Sequence, residues 1–309
     1  MKSKVIIIAV LLGVVGAGAY NLGYYRGAHG ACGSACACGS GCACGSGCAC
    51  GAECKCGAGA PAAKKAVEPA PADANTLTDA ERAEGWELAW DGKTTVGWVS
   101  SNGCTNFPAK GWVIADGTLS MRPQSGITES GEWFPLPPED RKLGGGGDIV
   151  TVEKYRDFAF KFDFRLTARA NSGVKYFVCE GVNGGTAEEY QILEPGHPDY
   201  NLGKDGNRRT AALYDIYPAH AEQIVKGVGE WNHGMIVAKG NHIEHWLNGV
   251  KVLEYERCSK EFKAAVKASK YANWGDNGQD WGEVPEGRIL LQDHTDSRVY
   301  FCNLKVKRL

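Results

Sequence analysis

Long basic runs are missing from this 309-residue chain, whose 34 lysines and arginines are balanced by 36 acidic residues. That absence argues against a nucleic-acid partner, which needs a concentrated positive face. Helix-period patterning is scarce as well: only residues 78–84 and 259–268 read as helical, which excludes a helical bundle. Cysteine is sparse where a fold would use it, because nine of the 13 fall between Cys32 and Cys56. The count therefore describes a local segment, not a disulfide-built domain. Long apolar runs are confined to the first twenty residues. What the chain does have is 42 glycines and nine tryptophans, the composition of a turn-rich β protein.

Three zones follow from these patterns. Residues 1–20 read "MKSK" and then "VIIIAVLLGVVGAGAY", two lysines ahead of an apolar stretch. This is a cleaved signal peptide or a retained membrane anchor, and it is short beside the roughly twenty residues of a comfortable span. Either way the protein is expected to be exported, to the periplasm or the cell surface. Residues 21–76 hold a Cys-x-Cys repeat of period six and a Pro/Ala linker, with too little apolar bulk to build a core. The repeat reads either as a thiolate trap for soft metal or as a flexible tether oxidised into disulfides, including intermolecular ones. Zinc-finger spacing is absent.

Residues 77–309 are strand after strand. "DFAFKFDFRL" sets Phe158, Phe160, Phe162, Phe164 and Leu166 on one face, with Lys161, Asp163 and Arg165 on the other. Asp-Gly at 116/117 and Asn-Gly at 248/249 mark hairpin turns. In the closing segment Cys302, Leu304 and Val306 alternate with polar neighbours. The expectation is an all-β sandwich of two antiparallel sheets. Within it, "EEYQILEPGHPDYNLGKDGNRRT" (188–210) is unusual. Its strand sets Glu189 and Gln191 opposite Tyr190 and Ile192, then runs into a loop rich in charge.

Several phrases together resemble the bacterial 3-keto-disaccharide hydrolase domain family. They are "WVIADGTL" (112–119), "DIVTVEKYRDFAFKFDFRLTARANSGV" (148–174), "EYQILEPGHPDYNLGKDGNRRTAALYD" (189–215), "GEWNHGMIVAKGNHIEHWLNGVKV" (229–252) and "LLQDHTDSRVYFCNLKVKRL" (290–309). The resemblance implies a concanavalin-like jelly roll with a sugar site on the concave sheet. It also implies action on glycosides oxidised to a ketone at C3. Two positions depart from the family pattern, Cys302 for its usual Arg and Thr295 for its usual Gly, both expected near the edge of the site.

A C3 ketone acidifies the proton at C2, so a base can remove it and the C1 substituent can leave; water then adds. That route needs a base, an acid and donors to an enolate oxygen. Glu189 is the expected base and His197 or Asp199 the acid. Arg208 and His294 are expected donors, and Asn171, Gln191, Tyr214, Asp215 and Trp246 the other substrate contacts. Each has a plainer reading. Glu189 suits a solvated strand carboxylate, His197 and Asp199 suit turn-shaping, and Arg208 suits pairing with Asp205. Asn171 suits a strand-end turn, Tyr214 and Asp215 a strand end, and His245 the core. Trp246, Trp274 and Trp281 suit either sugar stacking or sandwich filling. No cofactor is required, although His294 beside Asp293 and Asp296 could hold a divalent cation. Two other classes fit the pattern less well: a carbohydrate-binding module without a base, and a cross-linked envelope protein.

Overall fold

The computed structural model describes residues 69–127, 133–179, 187–220, 224–276, 279–294 and 298–309. The export segment and the cysteine repeat lie outside the described residues, as do Thr295 and Asp296. Two antiparallel sheets form a sandwich. The larger runs Val250–Glu256, His242–Leu247, Trp231–Lys239, Phe158–Leu166, Val299–Arg308, Thr118–Met121 and Trp112–Ala115, with Glu87–Leu88 also paired to Val299–Arg308. The smaller runs Glu188–Leu193, Asn171–Val178, Arg288–Leu291, Ile149–Thr151 and Trp98–Ser100.

The alternating phenylalanines do what their spacing predicts. Phe158, Phe160, Phe162 and Phe164 are fully buried between the sheets, each worth about 1.5–3 kcal/mol in transfer from water. Phe162 meets Tyr190 of the facing sheet edge-on, with centroids 5.1 Å apart. Both expected hairpins form, because Asp116, Gly117, Asn248 and Gly249 all take positive φ. The two expected helices also form. Asp79–Ala83 starts from a Thr78–Glu81 capping box, and Lys260–Lys267 from a Ser259 cap.

His245 is a core histidine. Its Nδ1 donates to the Ala211 carbonyl at 2.8 Å, so its Nε2 must accept from the Tyr176 hydroxyl at 2.7 Å. Tyr176 in turn accepts from Tyr255 at 2.8 Å. Burial drives the imidazole pKa down to about 4 against the carbonyl's opposing pull, which keeps this link between the sheets neutral.

Two expectations need correction. Cys302 does not share a face with Leu304 and Val306. It pairs with Asp163 on the outward face of the larger sheet, and a β-bulge around Asn303, at φ 52°, turns the later residues inward. Cys302 is therefore buried in the sheet that does not carry the candidate site, and not at the edge of it.

The ordered chain also begins before Leu77. Asn75 and Asn303 exchange side chain-to-backbone hydrogen bonds at 2.7 and 2.9 Å, and Asn75 Nδ2 donates to Gly117 O at 2.9 Å. The Trp231 indole donates to Pro69 O at 2.7 Å. A fragment starting at Leu77 is expected to fold but to melt lower than one starting at Lys64. Losing these bonds costs about 2–3 kcal/mol, or roughly 5–10 °C for a domain of this size. Equal melting temperatures by calorimetry would show that residues 69–76 add nothing.

Candidate active site

The alternation in Glu188–Leu193 separates two adjacent carboxylates. Glu188 points into the sandwich, where Arg257 meets it at 2.6 Å. Arg257 also donates to the carbonyls of Gly282 and Val284 and lies over the Phe177 ring. That pair is a buried ion pair with a structural role. Glu189 points outward from the smaller sheet, opposite Lys175 on the neighbouring strand. Its Oε2 lies 3.8 Å from Lys175 Nζ, a looser contact, with both side chains buried.

Space for the Glu189 carboxylate comes from Gly173. A Cβ at that position would lie 2.2 Å from Glu189 Oε1, so the carboxylate rests where a side chain would otherwise stand. Burial raises the Glu189 pKa above the ordinary 4.5 and Asp148 adds to the rise, while Lys175, Lys270 and His294 oppose it. A buried carboxylate raised in this way is a stronger base than an exposed glutamate.

Glu189 lines a cavity of about 260 Å³ with Asn171, Lys175, Gln191, Asp199, Tyr214, Lys270, Tyr271, Trp274, Gln292 and His294. Seven of the sequence candidates thus meet in one place: Glu189, Asn171, Gln191, Asp199, Tyr214, Trp274 and His294. Gln191 Nε2 donates to Asn171 Oδ1 at 3.2 Å, which fixes both amides on the cavity floor. His197 is not part of the lining. Its Nδ1 accepts from the Asp199 backbone N–H at 3.0 Å and caps the short turn Pro198–Asn201, so it aims Asp199. Arg208 pairs with Asp215, not Asp205, at 2.7 Å. The other Asp215 oxygen accepts from the Lys270 backbone N–H at 2.9 Å. Arg208 and Asp215 together therefore anchor the segment that carries Lys270, Tyr271 and Trp274 over the cavity.

Lys270 Nζ lies 4.1 Å from the centroid of the Tyr214 ring and 4.9 Å from that of Tyr271. Partial desolvation holds its pKa below the ordinary lysine value, although Glu189 and Asp215 resist the drop. Between the lining residues Gln292 and His294, Asp293 Oδ2 accepts from Gly147 N–H and the Asp293 N–H donates to Asp148 Oδ1. Burial, reinforced by Asp148, pushes the Asp293 carboxyl up to about 6.

The sequence of these elements also places the chain. Residues 85–307 match the family described as the 3-keto-alpha-glucoside-1,2-lyase-like domain. The chain belongs to this family. It is 32% identical over 251 residues to a 3-keto-disaccharide hydrolase of Bacteroides thetaiotaomicron, an alignment covering 74% of this chain and 79% of that one. A crystal structure of a candidate glycosyl hydrolase from Parabacteroides distasonis superposes with a TM-score of 0.60 at 31% identity, over 76% of this chain and 99% of the other.

Every residue lining the cavity falls within the matched lyase-like domain. Its three candidate tryptophans part ways. Trp274 stands at the cavity, 45% exposed and edge-on to Tyr271 at 5.4 Å. Trp281 is core filling, stacked on Tyr271 at 4.4 Å. Trp246 belongs to the outward face of the larger sheet and is remote from this cavity. Sequence reading missed Lys175, Lys270, Tyr271, Gln292 and Gly173. The signal for Lys175 was its one-residue offset from the apolar Val174 and Tyr176, which sets it on the outward face; Lys270 comes from a loop whose fold-back has no local signature.

Of the residues read as cation ligands, Asp293 uses its Oδ2 on Gly147 N–H, and Asp296 lies outside the described residues. Among the described residues, His242, Glu244 and Glu254 lie close enough to share an ion. The ammonium of Lys251 already bridges the two glutamates, at 3.1 and 2.5 Å.

Proposed function

We propose that this cavity binds a glycoside carrying a ketone at C3 and cleaves its glycosidic bond by elimination and hydration. The observation that carries the reading is Glu189: a buried carboxylate with a raised pKa, seated on Gly173 in a pocket of the lyase-like domain. Glu189 takes the C2 proton, and the electron pair moves toward the C3 oxygen. Lys175 and Lys270, both facing Glu189, supply positive charge for that enolate, whereas Arg208 is engaged by Asp215. As the enolate collapses, the C1–O bond breaks and Asp199 donates a proton to the departing oxygen. Water then adds to C1, giving up a proton that restores Asp199, and Glu189 returns its proton to C2, so that the sum is hydrolysis. His294, Asn171 and Gln191 hold hydroxyl groups, and Trp274 offers a ring face at the mouth. The lysine-headed apolar run at residues 1–20 supports placing this activity outside the cytoplasm.

Incubating the purified full chain with a 3-keto-glucoside and with its unoxidised parent tests the reading. Cleavage of the ketone alone is expected, because without the ketone the C2 proton is not acidic. Equal turnover of both would point to ordinary acid-assisted glycoside hydrolysis. Binding without turnover of either would point to a carbohydrate-binding module.

A further inference from the structure

The outward face of the larger sheet carries a second cavity, of about 280 Å³, on the opposite side of the sandwich from Glu189. Strand register lays out its floor in two rows. Trp246, Met235, Lys161 and Lys305 are successive cross-strand partners, and His233 and Asp163 form the row beside them, with Cys302 buried next in register. At one strand spacing of about 4.8 Å each, the first row spans about 14 Å.

The polar heads in this groove are held in place. Asp163 accepts from His233 Nδ1 at 2.7 Å and from Asn303 Nδ2 at 2.7 Å. Glu81 meets Lys305 at 2.8 Å and Lys161 at 3.4 Å. Burial works against the Glu81 charge, but bonds from Lys305 and the Thr78 N–H, with both lysine charges, hold its pKa down at about 2. Asp163 and Lys305 are each only 9% exposed, although they sit beneath an open cavity. The Trp246 ring is fixed by its Nε1–H donating to Glu244 at 2.8 Å, yet stays half-buried at the end of the row. Folding alone would gain more by covering that ring.

We propose that this groove is a second saccharide-binding site, for a neutral disaccharide unit that need not be oxidised. Two lysines oppose two carboxylates along the floor, so neither an anionic nor a cationic ligand is favoured. A hydroxyl-rich ring system matches the alternating donors and acceptors. Trp246 supplies a flat apolar surface for the C–H face of one pyranose, and Asp163, His233 and Asn303 lie where the hydroxyls of the next would fall. The site is independent of the elimination chemistry, because it makes no use of the ketone.

The test titrates the full chain with cellobiose, maltose, sucrose and trehalose, read by calorimetry and tryptophan fluorescence. At least one is expected to bind saturably. Trp246→Ala should weaken that binding about ten-fold or more, a loss of one strong contact. His233→Ala should weaken it less, and Glu189→Gln should leave it unchanged. Trp246→Ala should also keep the turnover of a 3-keto-glucoside. If Trp246→Ala does not fold, Lys161→Met and His233→Ala carry the comparison. The proposal is overturned if none of the four sugars binds, if binding survives every groove variant, or if Glu189→Gln abolishes it. Absence of keto-glycoside cleavage would sink the proposed reaction without touching this site.

Discussion

Glu189→Gln is expected to lower turnover of a 3-keto-glycoside by about a hundred- to ten-thousand-fold, the usual cost of losing a general base. Glutamine preserves the side-chain shape and its seat over Gly173, and it can still hydrogen-bond a sugar hydroxyl. Affinity should therefore change far less than rate. The wild-type pH profile should carry the same signature. Glu189 must be ionised to accept a proton, and burial raises its pKa above the ordinary 4.5. Its conjugate acid thus persists to higher pH than an exposed glutamate's, so kcat/KM should fall as pH drops through that raised value. Steady-state rates across pH check both statements. A variant that keeps its rate moves the base elsewhere in the cavity, to Asp199 first.

Gly173→Ala should be nearly as damaging, by a different physical route. The added methyl would fall 2.2 Å from Glu189 Oε1 and 2.9 Å from its Cδ and Cγ, so the carboxylate must move. Misplacing a catalytic group by about an ångström costs on the order of a hundred-fold in rate. Overpacking a site whose neighbours Lys175, Gln191 and Val174 are all buried should also cost about 1–3 kcal/mol of stability. The two variants differ in a measurable way: the glycine variant should lower the melting temperature as well as the rate. A fully active Gly173→Ala enzyme would show that the carboxylate works from another position.

Much of the fold was legible in residue order. A strand period of two sorted Phe158 to Leu166 and Glu188 to Leu193 into faces, and the two short helical stretches were placed from Thr78 and from Ser259. What period two cannot tell is which outward face belongs to which sheet. Glu189 and Trp246 both alternate with core residues, and both point away from the core, yet from opposite sides of the sandwich. Grouping them was the natural error of a reading without topology. Nor does alternation survive a bulge: Cys302 and Leu304 are two apart and face opposite ways because Asn303 takes a left-handed turn. The doublet Glu188–Glu189 shows the reverse case. One register position separates a carboxylate locked by Arg257 from one that faces an open pocket, and only the strand's orientation decides between them. The linker boundary near Leu77 failed for want of apolar pattern, since Asn75 docks through amide hydrogen bonds, which hydropathy does not register.

The central claim is that Glu189 removes the C2 proton of a 3-keto sugar. Exchange with heavy water isolates that step, because it requires neither a leaving group nor the later addition of water. A 3-keto-glucose without an aglycone, incubated with the full chain in deuterium oxide, should take up deuterium at C2 as followed by proton NMR. The Glu189→Gln chain should leave the C2 signal at the rate of buffer alone. Exchange at C2 that proceeds as fast in Glu189→Gln as in the wild type would contradict the account.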